Sequence, residues 1–392
     1  MPKAILTLNN GSSSIKFALF TLSPLGKLAP LLSGQIQNLL AIPHFEARDA
    51  RGAKIVDEPW PREDFGDVLH RAIGWIEDHL GDVRLAAVGH RVVHGGPDHA
   101  QPERVTAALL SRLDELAELA PLHVPHNVEP IRELAASRPD LMQVACFDTA
   151  FHTTMPAVAT RFGLPRRYFD AGIRRYGFHG LSYEYVADRL KQEAPDLHRG
   201  RVIAAHLGSG ASLCAMQGGR SVETTMGFTA LDGLLMGTRP GTLDAGAVLH
   251  IMKHEGIAPE AMEAMLYKRS GLLGVSGGLS NDMRTLLADD SAAAREAVDL
   301  FVYRIIREAG ALMSAMGGLD GIIFTGGIGE HSADIRARVV DGFGWLGAVL
   351  DPVANAQGGA LISAPESRVD IRVIAAGEEI MIAAHTRDLL RG

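Results

Sequence analysis

Residues 5–20 read ILTLNNGSSSIKFALF. Two largely apolar runs flank Asn9, Asn10, Gly11, Ser12, Ser13 and Ser14. A stretch with the character of a buried strand is thus broken by small residues rich in hydrogen-bond donors. A P-loop is excluded, because it needs Gly-Lys-Ser/Thr followed by a helix whose N-terminus faces phosphate. Here the turn leads into IKFALFTL, whose β-branched and aromatic residues predict a second strand. The unit is therefore strand, turn, strand. Successive amides and hydroxyls in such a turn can form an anion-binding nest. An ordinary hairpin with a polar tip fits these residues equally well.

The pattern returns at residues 202–217, VIAAHLGSGASLCAMQ. Again an apolar run, a Gly/Ser turn and a second apolar run follow one another. Two such units, about 200 residues apart, predict a duplicated domain with both turns at one cleft, chance likeness of short hairpins being the alternative. A third glycine cluster lies in GIIFTGGIGEHSADIRARVV, residues 321–340. A short strand is expected to run into Gly326, Gly327 and Gly329, with a helix starting near Ser332. Glycines there let backbone approach a ligand, or simply make a tight turn. A fourth loop, residues 270–286, places Asp282 near a helix start, where a carboxylate suits the dipole.

The chain has 392 residues, 47% of them hydrophobic, and a formal net charge of −8. That length allows two or three domains. The acidic balance argues against nucleic acid as partner, since phosphate-backbone binding needs a basic face. Cys146 and Cys214 are the only cysteines, which predicts a reducing compartment, the cytoplasm. No run approaches the roughly 18 apolar residues of a membrane span, and Asn9 interrupts the start before a leader could form. Helical periodicity marks Phe65–Ile76, a segment from Val105 to Ala120, and a long one over about 295–316. Between them lie short apolar strands, and the alternation implies an α/β fold.

Several residues carry the signature of chemistry. Arg91 sits in AAVGHRVVHGG, where a buried guanidinium would need an anion; an exposed edge is the alternative. Arg239 precedes Pro240 and is therefore held out of helical geometry on a loop; an ordinary surface arginine is the alternative. His123, His179 and His206 lie beside glycine or proline without metal-ligand spacing. Asp148 ends a strand-like run, and Glu378 and Glu379 follow the last one. A carboxylate at a strand's carboxyl end can face a cleft, whereas an acid pair such as Glu378–Glu379 is ordinarily solvated. Phosphate-facing turns, extra cations and oxygen ligands for magnesium together make the equipment of phosphoryl transfer.

The phrases NNGSSSIKF, GHRVVHGG, LAPLHVPHN, FDTAFHTTMP, YGFHGLS, HLGSGAS, MGFTALDGLLMGTRPG and FTGGIGEHS occur in this order along nearly the whole chain. In that succession the sequence resembles the acetate kinase family. The resemblance implies an α/β fold of duplicated ribonuclease-H-like, actin-like ATPase domains flanking a nucleotide cleft. One domain would span 1–148 plus 376–392, the other 149–375 with most nucleotide contacts. It implies reversible phosphorylation of acetate by ATP to give acetyl phosphate and ADP, in a cytoplasmic homodimer. Magnesium, or manganese in its place, would be held by Asn9 and Glu378. Arg91, Val93, Leu122, Phe178 and Ala230 would bind the acceptor. Asp148, His179 and Arg239 would be the catalytic residues. ATP would meet Ser12, Ser14, Lys16, His206, Leu207, Gly208, Ser209 and Gly210. It would also meet Asp282, Met283, Arg284, Gly327, Ile328, Gly329, Glu330 and His331.

The chain departs from the family pattern at Asn10, at Ser209, at AGEE (376–379) and at Ala230, which stands where proline usually lines the acyl pocket. The alternatives are a propionate or mixed short-chain carboxylate kinase, and an ATP-binding module of actin or chaperone type with no small acceptor. The last leaves Arg91 and Arg239 without a task.

Overall fold

The computed structural model describes residues 2–11, 13–39, 41–116 and 124–391. The chain divides into two compact units, Met1–Ala150 with Gly377–Gly392, and Phe151–Ala376.

The strands of the first unit are β1 (Lys3–Asn10), β2 (Ser14–Leu22), β3 (Leu28–Gln37), β4 (His44–Asp49), β5 (Lys54–Pro59), β6 (Arg84–Val92), β7 (Glu103–Arg104) and β8 (Met142–Phe147). Among the described residues they form one sheet in the order β5-β4-β3-β2-β1-β6-β8-β7. β1 and β2 are an antiparallel hairpin in which Asn9 faces Lys16 and Asn10 faces Ile15. β6 runs parallel to β1, and β8 parallel to β6. Ala4 through Leu8 are all buried, as expected of a central strand covered on both faces. One face packs on helix Phe65–Asp78 through Val68, Leu69, Ala72, Ile73 and Ile76. Phe45 extends that core by stacking on Trp60, ring centroids 4.2 Å apart. On the other face, Ala383 of helix Glu378–Arg391 joins Ile5, Ala18 and Phe20. The backbone approach there is close: a β-carbon at Gly89 would strike Ile382 and Thr386. The end of the chain thus completes the first unit.

The second unit holds β9 (Arg201–Leu207), β10 (Ala211–Gln217), β11 (Arg220–Thr224), β12 (Gly321–Thr325) and β13 (Asp370–Val373). Their order is β11-β10-β9-β12-β13, with β9 and β10 an antiparallel hairpin and β12 parallel to both β9 and β13. This is the order of β3-β2-β1-β6-β8 in the first unit, with the same senses. The weak sequence repeat is therefore a repeat of topology, two ribonuclease-H-like sheets in one chain. Tyr183, Val186 and Leu190 of helix Gly180–Glu193 pack on Val202, Ala204, Cys214, Met216 and Ile323. The long helix Ala292–Met316 starts where the Ser291 side chain accepts from Ala294 N and stops at Gly317, φ 72°.

Two expectations need correction. The segment expected as a helix from Val105 starts as a helix at Ala107, because Glu103–Arg104 pair with β8 instead, and is helical through Leu116, where the described residues break off. Ala120 falls outside the described residues. The glycine cluster was expected as a loop before a helix near Ser332, but Gly326–His331 is itself helical. Gly326 makes the turn in one residue, φ 76°, where a β-carbon would press on Leu207 backbone. Arg336 then fixes the new helix end. Its buried guanidinium donates to the carbonyls of Gly329 (2.9 Å) and Glu330 (2.7 Å) and to Asn355. Tertiary hydrogen bonds override the low helix propensity of glycine. A second helix, Ala333–Asp341, follows with Ser332 as its cap.

Candidate active site

In the first unit the centre is Arg91, on β6. Its Nε and Nη2 donate to Asp148 Oδ2 at 3.0 and 2.5 Å, and its Nη1 donates to Asn9 Oδ1 at 3.2 Å. Glu378 Oε2 lies 3.7 Å from Nη1 and accepts from Asn9 Nδ2 at 3.3 Å. Burial alone would lower the pKa of Arg91, but the carboxylates of Asp148 and Glu378 outweigh it and raise it. These four residues come from β1, β6, the residue after β8, and the first turn of the last helix. Parallel pairing of β1, β6 and β8 brings their carboxyl ends together, the place where open α/β sheets put their ligand groups. Arg91 is thus a partly buried cation that has found its anions within its own unit.

Glu378 is buried rather than solvated, 8% exposed. Glu379, which sequence reasoning left as a surface acid, has its pKa raised by burial first and by the charge of Glu378 second, against the pull of Lys16 and Arg91. Asn10, a departure from the family pattern, fastens the hairpin tip. Its Nδ2 donates to the His126 carbonyl, and its own carbonyl accepts from Asn127 Nδ2 at 2.7 Å. Asn127 Oδ1 also accepts from Val93 N at 2.9 Å. Asn127 thereby couples the turn to the Arg91 strand, a link that no sequence signal marked. Ser14 begins β2, and exposed Lys16 sits opposite Asn9. Ser12, Leu122 and His123 lie outside the described residues.

Among the described residues no three His, Cys, Asp or Glu side chains form a ready-made metal cage. The donor set nevertheless fits magnesium. Asn9, Asp148 and Glu378 offer hard oxygen atoms, and two carboxylates share one guanidinium. Magnesium keeps most of its water and takes one or two carboxylates plus phosphate oxygens.

In the second unit the centre is the β9–β10 turn. His179 occupies left-handed backbone, φ 59° and ψ 24°, immediately before helix Gly180–Glu193. Its Nδ1 lies 2.8 Å from Ser212 Oγ on β10, and its ring stacks on His206 of β9 with centroids 4.2 Å apart. His206 Nδ1 in turn lies 2.8 Å from Ser182 Oγ. A β-carbon placed on Gly210 would stand 2.7 Å from Arg239 Nη2 and 3.4 Å from His179 Nε2. Arg239 and His179 therefore flank one point at the turn.

Arg239 is held from its own loop, donating from Nη1 to the Ala230 carbonyl at 2.7 Å. The loop is stitched down by Gly237 N to Ser209 O (3.0 Å), Leu272 N to Met236 O (2.8 Å) and Thr238 Oγ1 to Tyr267 O (2.7 Å). Burial lowers the pKa of Arg239, partly offset by Tyr267. Among the described residues it has no carboxylate partner. A desolvated cation in that state favours an anionic ligand.

Phe178 and Ala230 are buried, 3% and 8% exposed. Leu207 and Met283 are core side chains, so neither offers more than backbone to a ligand. Ser209 is exposed at the turn, between half-buried Gly208 and Gly210. Asp282 caps helix Met283–Leu287, accepting from Arg284 N and Thr285 N, and Arg284 folds back on it at 3.1 Å. In the Gly326–His331 helix, Gly327 and His331 are exposed, Ile328 is half-buried, Gly329 is buried, and Glu330 Oε1 accepts from Ala376 N at 2.9 Å. Ser212, Tyr183 and Ser182, which back the two histidines, were not among the expected residues. Ser212 could have been suspected from strand alternation alone, because it pairs with His206 in register.

Likeness to known proteins extends along nearly the whole sequence. The chain matches the acetokinase family over residues 4–384. It is 51% identical over 397 residues to the acetate kinase of Rhodopseudomonas palustris strain TIE-1, covering 100% of each chain. It is 50% identical over 390 residues to the acetate kinase of Nitrobacter hamburgensis, covering 99% of this chain and 96% of that one. A crystal structure of a propionate kinase from Francisella tularensis superposes with a TM-score of 0.90 at 35% identity, covering 98% of this chain and 99% of the other. With a full-length match, two relatives at half identity and a superposable structure, the chain belongs to the acetokinase family.

Proposed function

We infer that this protein is an acetate kinase, transferring the terminal phosphoryl group of ATP to acetate and running in reverse from acetyl phosphate and ADP. The observation that carries this reading is Arg239: a desolvated guanidinium with no carboxylate partner among the described residues, beside the point that His179 also faces. A sugar kinase needs a base to remove a hydroxyl proton. Acetate arrives already ionised, and its difficulty is approaching a polyanion.

The chemistry then divides among the residues. An acetate oxygen forms its bond to the terminal phosphorus as the bond to the ADP oxygen breaks, in line, with no proton transferred. Arg239 and His179 donate to the phosphoryl oxygens as charge redistributes. Arg91 spends three of a guanidinium's five N–H groups on Asp148 and Asn9, leaving two for the acceptor carboxylate. Asp148 holds Arg91 and is not a base. Asn9, Asp148 and Glu378 would hold magnesium, or manganese, which when bound neutralises phosphate charge. Val93, Leu122, Phe178 and Ala230 would enclose the acyl methyl. Backbone at 206–210, 282–284 and 327–331, with Ser12, Ser14 and Lys16, would contact the nucleotide, most of it through the second unit.

We further propose a cytoplasmic homodimer. Leu243, Leu249 and Tyr303 are exposed on the second unit, and helix Ala245–Glu255 buries none of its residues, apolar surface that a second copy would cover. Among the described residues no helix is long and apolar enough to cross a membrane. The test is direct: ATP, magnesium and a panel of short carboxylates, with hydroxylamine to trap acyl phosphate. Acetohydroxamate formed in step with ADP is the expected result. ATP turnover indifferent to any carboxylate would favour the chaperone-like module instead.

A further inference from the structure

His179 Nδ1 lies 2.8 Å from Ser212 Oγ, and the same oxygen lies 2.5 Å from the phenol oxygen of Tyr183. Ser212 and Tyr183 are both fully buried. We propose that Tyr183 and Ser212 are positioning residues that fix His179 as its Nε2–H tautomer, a neutral donor aimed at the phosphoryl group. This rests on the role given to His179 above.

The direction of the chain follows from the donors available. A phenol is the stronger acid and the better donor, whereas an aliphatic hydroxyl is the better acceptor. The short contact therefore runs from Tyr183 O–H to Ser212 Oγ. Ser212 has one proton, which is left for His179 Nδ1. Nδ1 is then an acceptor, and the ring's own proton must sit on Nε2. Chains of this kind polarise one another and hold orientation better than a single bond. The backbone contributes as well. His179 and Asn38 are the described non-glycine residues at positive φ, so the ring is delivered from a conformation that only surrounding structure sustains.

The charged and titratable neighbours act in the same sense. Arg239 flanks the point that His179 Nε2 faces, and a cation there disfavours a second positive charge on the ring. His206 stacks on the other side, with its Nδ1 taken by Ser182. On the ring's own helix the neighbour is Tyr183, and behind it lies His152, 5.7 Å between centroids. Burial lowers the pKa of His152 to about 4, so it stays neutral.

The test has two readouts, both on the full-length protein. The first is nitrogen NMR with labelled histidine, with the His179 signal assigned by loss in His179→Gln. At pH 8 Nε2 should be protonated and Nδ1 bare. A protonated Nδ1 would overturn the proposal whatever the enzyme's activity. The second is kcat at pH 8 in Ser212→Ala, Tyr183→Phe and Ser212→Thr. Ser212→Ala should lose about fivefold in kcat, the worth of one hydrogen bond, with KM for ATP held within about twofold. Tyr183→Phe, which keeps the ring, should lose less, and Ser212→Thr should restore most of the activity. A loss carried mainly by KM, or one that Ser212→Thr does not restore, would mean that these residues only pack. If His179→Gln kept normal kcat, the role of His179 would fail while the tautomer result stood on its own.

Discussion

Gly210→Ala should disable the enzyme without unfolding it. Gly210 does not lie in left-handed backbone, so alanine is free of conformational strain there. The new methyl would stand 2.7 Å from Arg239 Nη2, 3.4 Å from His179 Nε2 and 3.7 Å from His179 Cε1. A carbon and a guanidinium nitrogen rest at roughly 3.5 Å, so the Arg239 head group must retreat by about 0.8 Å. It is the end of a long side chain and can do so. Folding stability should therefore change by less than about 1 kcal/mol, with a small gain from the less flexible unfolded chain. Catalysis is less tolerant. A misplacement near 1 Å of a group meeting developing charge costs about 100-fold. The methyl also occupies the point that both donors face.

The assay is kcat for acetyl phosphate formation beside a urea unfolding curve. Gly208→Ala is the control, because its β-carbon would meet Gly210 O at 3.3 Å and His206 Nε2 at 3.9 Å and leave Arg239 untouched. Gly210→Ala should fall about 100-fold in kcat/KM while Gly208→Ala stays within about tenfold. Normal kcat in Gly210→Ala would show that the phosphoryl group does not occupy the point between Arg239 and His179. A collapse in stability would show that the turn cannot yield as its neighbours suggest.

Three further outcomes follow from the same geometry. Arg239→Lys should lose on the order of 100-fold in kcat with a modest change in KM for ATP, since an ammonium cannot both hold the Ala230 carbonyl and present a planar fork; near-normal kcat would remove Arg239 from the mechanism. Ala230→Pro keeps that carbonyl while adding bulk where the proposed acyl pocket would lie. Propionate, expected within about tenfold of acetate in kcat/KM, should drop further behind by the ~1 kcal/mol or more that a methylene is worth, and no change would show that this position does not set chain length. Burial lowers the pKa of His90 from 6.5 to about 4. Between those values the unfolded chain binds a proton that the folded chain refuses, so stability falls as pH drops through this window, by about 2 kcal/mol at pH 5. Unfolding free energies at pH 5 and 7.5 should converge by that amount in His90→Gln, and an unchanged pH slope would place imidazolium inside the fold.

The parts of the fold legible in the sequence are those governed by local rules. β1 is apolar from Ala4 to Leu8 apart from Thr7 because both its faces are covered there, and the two Gly/Ser turns announce their hairpins. The paired Gly/Ser units signalled the duplication, but the strand order within each sheet was not legible in local composition, because only pairing between distant segments creates it. Gly326–His331 was missed for the same reason: its helix is held by Arg336 and by contact with Leu207, neither visible in its own composition. At the site, Asn127 and Ser212 close the phrases LAPLHVPHN and HLGSGAS, but their composition does not say what they hold. Glu379 and Tyr183 likewise acquire meaning only through what surrounds them.

Electrostatics gives the two units different tasks. Around Arg91 the fixed charge is in anionic excess, with Asp148 and Glu378 against one guanidinium and Glu379 pushed toward its neutral form. Such a cluster by itself repels a carboxylate, so an acceptor held there would need a further cation, the charge that magnesium would supply under the proposed function. Around Arg239 the balance is reversed: a guanidinium with no carboxylate partner among the described residues, beside the stacked rings of His179 and His206 at the β9–β10 turn. That surface is preorganised for phosphate oxygens without rearrangement. A sugar kinase has no use for the first arrangement, since a hydroxyl needs a base and Asp148 is already committed to Arg91. A carboxylate kinase needs both, because its two substrates repel each other until each has met opposite charge.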